Sequence, residues 1–194
     1  MTNLKLLATA LVVAGLAATP LGTLAANGNG GRAGSAQPGA SAVAPLSDAE
    51  IATLVWMREE EKLARDMYTT LNTYFPAKIF TNIAASEQRH FDAIGKKLAL
   101  YGVADPATEV VGVFTDPDLQ ARYDELLALG MVSYVEALKV GVTIEEADLA
   151  DLEAAIAGTS SVPLARTYQH LLTGSEHHLA AFTRSLAKAG VVLE

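Results

Sequence analysis

"IAASEQRHFDAIGKKL", Ile83 to Leu98, is the stretch on which the fold turns. Its apolar residues Ile83, Ile94 and Leu98 recur at helical spacing, and Glu87 and His90 fall on the same stripe. A bundle helix buries that stripe. A carboxylate and an imidazole placed there need partners, because an uncompensated buried charge costs several kcal/mol. With a rise of about 1.5 Å per residue, the two stand roughly 4.5 Å apart along the axis, close enough to converge on one ion.

Three more segments repeat the pattern. Ser47 and Glu50 in "LSDAEI" form a capping box, and Leu46 with Ile51 has staple spacing, so a helix is expected from Asp48 to about Tyr74, stopped by Pro76. The next is expected from about Ile79 to Tyr101, with Gly102 after it. Asp116 and Pro117 open a short helix in the long connection, closed by Gly130. Ser133 and Glu136 form a second expected capping box, for a helix ending near Gly158. Pro163 starts the last, which ends near Gly190. No segment shows sustained strand alternation. The reading is all-α: a ferritin-like four-helix bundle, with a long crossover containing a short helix between the second and third long helices.

Each long helix has an apolar seam interrupted near its middle. The seams run Leu54, Met57, Glu61, Ala64, Tyr68, Leu71; then Ile83, Glu87, His90, Ile94, Tyr101. The third runs Leu138, Val142, Glu145, Leu149, Leu152, Ile156, with Asp148 beside Glu145; the fourth runs Leu164, Tyr168, Leu171, Ser175, His178, Phe182. One interruption means little, but four at similar depth place several carboxylates in one core. Two cations would offset them. Oxygen and imidazole donors without sulfur suit iron or manganese, with zinc as the other choice. Glu59 and Glu60 are expected on a solvated face, with Glu60 the alternative to Glu61 as first-helix ligand. Glu146, Glu176, His170 and His177 are expected to face water. Tyr68 and Tyr168 are expected to pack the core, a hydrogen bond to a ligand carboxylate being the sharper alternative.

Composition narrows the rest. The formal net charge is −8 and no basic patch carries interleaved aromatics, so no nucleic-acid partner is expected. There are no cysteines, which excludes disulfides, thiolate metal sites and a cysteine nucleophile. Lys5, the apolar run Leu6 to Ala18 and small residues at Thr23, Ala25 and Ala26 read as a signal peptide over residues 1–26. The run is shorter than the roughly 20 residues a span needs, so no stable membrane anchor is expected. Residues 27–45, rich in Gly, Ala, Ser and Pro, read as a disordered tether, and residues 46–194 as the folded domain. The mature chain is expected in the periplasm, at the cell wall or outside the cell.

"EKLARDMY", Glu61 to Tyr68, resembles the first-helix pattern of rubrerythrin-like proteins, and "IAASEQRH" resembles their second-helix E-x-x-H. With "GVFTDPDLQARYDELL", "ALKVGVTIEEADLADLE" and "GSEHHLAAF", the chain is similar to an uncharacterised family of exported bacterial and archaeal ferritin-like domains, from about Leu46 to Ala189. The resemblance implies a di-metal centre built by Glu61, Glu87, His90, Glu145 and His178. It departs at Ser175, where the pattern has Glu, and Asp148 is the acid that would compensate. It further implies two iron ions, with manganese or zinc as alternatives, and a di-iron oxidoreductase reacting with dioxygen or hydrogen peroxide. Electrons would come from an external donor or from Fe(II) itself, and a homodimer is compatible. The other readings are a non-catalytic metal-binding or structural module, and a metal-free scaffold whose acids pair with Arg65 and Arg89.

Overall fold

Caps and breakers set the helix boundaries. The computed structural model describes residues 44–191. The expected export signal lies outside the described residues, as does the tether up to residue 43; Ala44 and Pro45 are exposed. Five helices follow: α1 (Asp48–Tyr74), α2 (Lys78–Tyr101), α3 (Pro117–Gly130), α4 (Tyr134–Gly158) and α5 (Val162–Lys188). Among the described residues there is no strand, and no helix is long and apolar enough to cross a membrane.

The Ser47 capping box is made in full, with the Glu50 amide donating to Ser47 Oγ and the Ser47 amide to Glu50 Oε2. Glu50 Oε1 also accepts from Thr159 Oγ1 at 2.7 Å and the Ser160 amide at 2.9 Å, so one residue caps α1 and pins the α4–α5 turn. The second expected box is half made. Ser133 accepts from the Glu136 amide, but the Glu136 carboxylate turns to Lys139 at 2.8 Å.

α1 packs on α2 and α4 on α5, with α1 also meeting α4 and α2 meeting α5; α3 lies on α1 and α4. The apolar core is divided into two clusters. One contains Met67, Phe80, Leu138 and Phe182 together with residues of α3. The other contains Leu54, Ile94, Leu152 and Leu164. Each of the four long helices passes from one cluster into the other, and buried polar residues lie at each crossing: Glu61, Glu87 and His90, Glu145 and Asp148, Ser175 and His178. A polar layer therefore separates two apolar halves of the core.

Glu59 corrects the expectation of a solvated face. It is buried and accepts from the Thr115 amide at 2.6 Å and the Asp116 amide at 2.8 Å. One turn on, Lys62 Nζ donates to Asp66 Oδ2 at 2.6 Å, Val110 O at 2.8 Å and Val113 O at 3.1 Å, while the Gly112 amide donates to Asp66. This face of α1 clamps the connection leading into α3.

Candidate metal centre

Within the polar layer, two triads share one residue. Glu61, Glu87 and His90 offer ligand atoms within 4.8 Å of one another, and so do Glu87, Glu145 and His178. The i, i+3 spacing of Glu87 and His90 sets both on the inner face of α2. Glu61 enters from α1, Glu145 from α4 and His178 from α5. Glu87 Oε2 is 2.9 Å from His90 Nδ1, and Glu87 Oε1 is 2.6 Å from His178 Nδ1. The outer carboxylates, Glu61 and Glu145, are each 3.4 Å from the histidine on their own side. The imidazoles stack with centroids 5.5 Å apart. Each triad thus has its own Glu and its own His, and Glu87 turns one oxygen to each.

These approaches do not satisfy the groups. Among the described residues, both oxygens of Glu61, Glu87 Oε1, and the Nδ1 atoms of His90 and His178 are buried without a hydrogen-bond partner. Native cores rarely leave polar atoms in that state. Atoms that converge at 2.6–3.4 Å without hydrogen-bond geometry are arranged as ligands are around an ion. The donor set of carboxylate oxygen and imidazole nitrogen fits iron, manganese or zinc.

The electrostatics follow from burial. Burial pushes the Glu61 carboxyl up to about 8 and that of Glu145 to about 7, in both cases with the Glu87 charge adding to it. Burial acts on Glu87 in the same direction, but two flanking imidazoles outweigh it and hold the group at about 2. Burial opposes charge on the histidines, yet their carboxylate neighbours raise His90 to about 10 and His178 to about 9. Without a cation, the centre holds protons at neutral pH that metal binding must displace.

Residues 50–194 match the family described as "Uncharacterized protein domain (DUF2202)". The chain belongs to this family. It is 45% identical over 147 residues to the uncharacterized protein MJ0754 of Methanocaldococcus jannaschii, covering 75% of this chain and 80% of that protein. The crystal structure of the hypothetical protein MJ0754 from Methanococcus jannaschii DSM 2661 matches with a TM-score of 0.76 at 44% identity, over 77% of this chain and 86% of that one.

In this DUF2202 domain, five of the six residues singled out as ligands fall in the triads: Glu61, Glu87, His90, Glu145 and His178. Asp148 is buried in the same layer with Oδ1 unpartnered, but it stands outside both triads. Burial, then the charges of Glu61 and Glu60, push its carboxyl well above the usual range. Ser175 is fully buried and turns its hydroxyl to Leu171 O at 3.3 Å. Its neighbour Gly174 is where the His90 ring backs onto α5: a Cβ there would meet His90 Nε2 at 2.5 Å. Glu60 is also buried, another departure from the expected solvated face, and stands outside both triads. Glu146, Glu176, His170 and His177 are exposed.

Tyr68 does more than pack. Its hydroxyl donates to Glu145 Oε1 at 2.6 Å, one turn of α4 above the point where Gly141 admits the Phe182 ring. Tyr168 is buried with its hydroxyl unpartnered. Arg65 binds Asp66 and Gln88, and Arg89 binds the Ala85 carbonyl, so the hydrogen bonds of both arginines are made away from the triads. The sharing of Glu87 and the hold of Tyr68 on Glu145 depend on helix rotation. For Tyr68 the sequence signals are its place on the Glu61 seam and at the end of "EKLARDMY", and the bond to Glu145 is the sharper of the two expected roles.

Proposed function

We propose that this protein is an exported, ferritin-like four-helix bundle with a crossover through α3, whose two triads hold a pair of metal ions that react with dioxygen or hydrogen peroxide. The observation that carries the reading is Glu87, a fully buried carboxylate with one oxygen toward each of two histidines and no hydrogen bond at Oε1. Glu87 would contribute one carboxylate oxygen to each side of the centre.

When bound, a di-iron pair supplies the electrons that reduce the oxidant. Glu61 with His90 and Glu145 with His178 hold the two sides, and Tyr68 fixes the Glu145 carboxylate through its 2.6 Å hydrogen bond. The apolar clusters on both sides of the layer keep bulk water away from the ligands. Without a cysteine there is no thiolate iron centre in the chain, so electrons beyond those of Fe(II) need an external donor.

The test is anaerobic titration of metal-free protein with Fe(II), then exposure to air. Two Fe(II) per chain and a ferric absorption that appears on aeration are expected. Uptake of two ions with no oxidation would favour the structural metal module, and no uptake would sink the metal centre. Export rests on the N-terminal pattern alone. Mature protein should begin at Ala26 or Asn27, and an abundant cytoplasmic form starting at Met1 would refute it.

A further inference from the structure

The α1–α2 hairpin carries a cleft that the di-metal reading does not use. It has a volume of about 320 Å³ and is lined by these two helices alone. Cross-helix pairs tie its two ends. At one end Arg65 Nη1 donates to Gln88 Oε1 at 3.0 Å, and at the other Thr81 Oγ1 donates to Asn72 Oδ1 at 3.3 Å. From Arg65 to Asn72 the helix advances roughly 10 Å. Between the ends α2 presents Ala84 and Ala85, whose methyl groups leave space that larger side chains would fill. Tyr68 lines the cleft from α1 and is fully buried.

The Arg65 end is positive on a chain whose formal net charge is −8. From Met67 to Phe91 the only acidic residue is Glu87, which is buried in the triads. The next acid, Asp92, accepts from Gln88 Nε2 at 2.8 Å, which turns the Gln88 amide oxygen to Arg65. Arg65 also binds Asp66, but Lys62 shares that carboxylate, so the three groups keep one positive charge in excess. The guanidinium is held in place. Its carbon lies 4.4 Å from the centre of the Phe91 ring, and its bonds to Asp66 and Gln88 use Nε and one N–H on each of Nη1 and Nη2. A second N–H remains on each Nη atom. Two such donors fit the two oxygens of a carboxylate. The Arg65 side chain keeps 17% of its surface exposed, within reach of a ligand in the cleft.

We propose that the α1–α2 cleft binds a small aromatic acid. Its carboxylate sits on Arg65, its ring lies against Tyr68, Ala84 and Ala85, and a hydroxyl at its far end meets Asn72 and Thr81. The volume falls at the lower end of the range for small-ligand sites, about 300–1,000 Å³. Binding there requires no metal. The cleft nevertheless adjoins the centre, because the Tyr68 hydroxyl donates to Glu145 Oε1 at 2.6 Å. An acid in the cleft touches the residue that holds one of the triad carboxylates.

Equilibrium dialysis of the purified chain against 4-hydroxycinnamate and against its neutral amide tests the cleft. The acid should bind one per chain and the amide about tenfold more weakly, since hydrogen bonds between charged partners are the stronger ones. Arg65→Gln should weaken the acid by about tenfold and leave the amide unchanged. Ala85→Leu fills the cleft from an exposed position. It should melt with the parent and bind neither compound. If Arg65→Gln folds poorly through the loss of its bond to Asp66, the acid–amide comparison and Ala85→Leu still decide. Acid that binds Ala85→Leu as tightly as the parent sits elsewhere, a metal in the triads included; that result overturns the cleft and leaves the di-metal reading standing. Equal affinities of the parent for acid and amide, or no binding of the acid at millimolar concentration, would overturn the proposal as well.

Discussion

α1 buries charge in two places, and they differ in kind. On its outer face, Lys62 and Asp66 are almost completely buried, yet their charges are well supplied. Lys62 has a carboxylate and two carbonyls, and Asp66 has Lys62, Arg65 and the Gly112 amide. On the inner face, Glu61 is just as buried, and neither of its oxygens has a hydrogen-bond partner among the described residues. Burial of charge alone therefore does not mark a functional site. The clamp is a closed network and holds a connection in place; the inner layer leaves buried polar atoms without partners among the described residues. The two networks should be separable by experiment.

The largest effect is expected at Glu87. Glu87→Gln keeps the volume and removes the shared anion, so both ions should weaken together, and the pair should no longer load at stoichiometric metal. His90→Ala and His178→Ala should each remove mainly the ion on their own side. Metal content after dialysis distinguishes the cases. Equal single-ion losses in all three variants would break the idea that Glu87 is shared.

Lys62→Met attacks the clamp instead. Removing one partner of a buried ion pair costs about 3–5 kcal/mol. The denaturant midpoint should fall accordingly, while two metal ions per folded chain still bind. A variant that folds but loses its metal would show that the clamp and the centre are one network.

The inner layer also carries a pH signature. In metal-free protein, Glu61, Glu145, His90 and His178 have folded values raised to about 8, 7, 10 and 9. A raised value means that the folded chain binds more protons than the unfolded one. The histidine contribution is therefore complete below their unfolded value of about 6.5 and is lost as pH rises through 9 to 10. The carboxylates act in the same direction from about pH 4.5 upward. Glu87, held at about 2, acts oppositely, but only below about pH 4.5. The Tm of metal-free protein should thus decline from pH 5 to 10, and bound metal should flatten the decline, because it replaces those protons. Metal uptake itself should weaken from pH 8 to 6. A flat Tm profile without metal would show that the layer is satisfied in some other way.

Much of this contrast could be read from residues, and some could not. Helix boundaries were legible because caps and breakers act locally: Ser47 with Glu50, Asp116 with Pro117, and Gly102 at φ 67°. The Glu136 half of the second box failed because Lys139, one turn on, competes for the same carboxylate. Five triad residues were legible because each interrupts an apolar seam. The burial of Glu59 and Glu60, which point about 100° and more away from one another and from Glu61, was not. In the fold one carboxylate meets the connection before α3, one faces Arg122 and one enters the centre. The seam marks Glu61, but the burial of Glu59 and Glu60 leaves no local mark, because their partners lie far away in sequence.

The smallest effect is expected at Asp148, and it sharpens the comparison most finely. Asp148 belongs to neither triad, but its buried Oδ1 is open in the same way as the Glu61 oxygens. Ser175 stands where the resemblance places a fourth glutamate, and its hydroxyl is committed to Leu171 O. If Asp148 supplies the missing negative charge, Asp148→Asn should leave two ions bound and weaken one of them by about tenfold, the lower end for a group that acts on a centre from outside its ligands. Restoring the carboxylate from α5, with Ser175→Glu in the Asp148→Asn background, should recover part of that loss. Ser175 is fully buried, so the double variant must first match the parent in helical content and cooperative melting. Two ions of unchanged affinity in Asp148→Asn would place Asp148 with the clamp residues, as buried charge that serves the fold and not the centre.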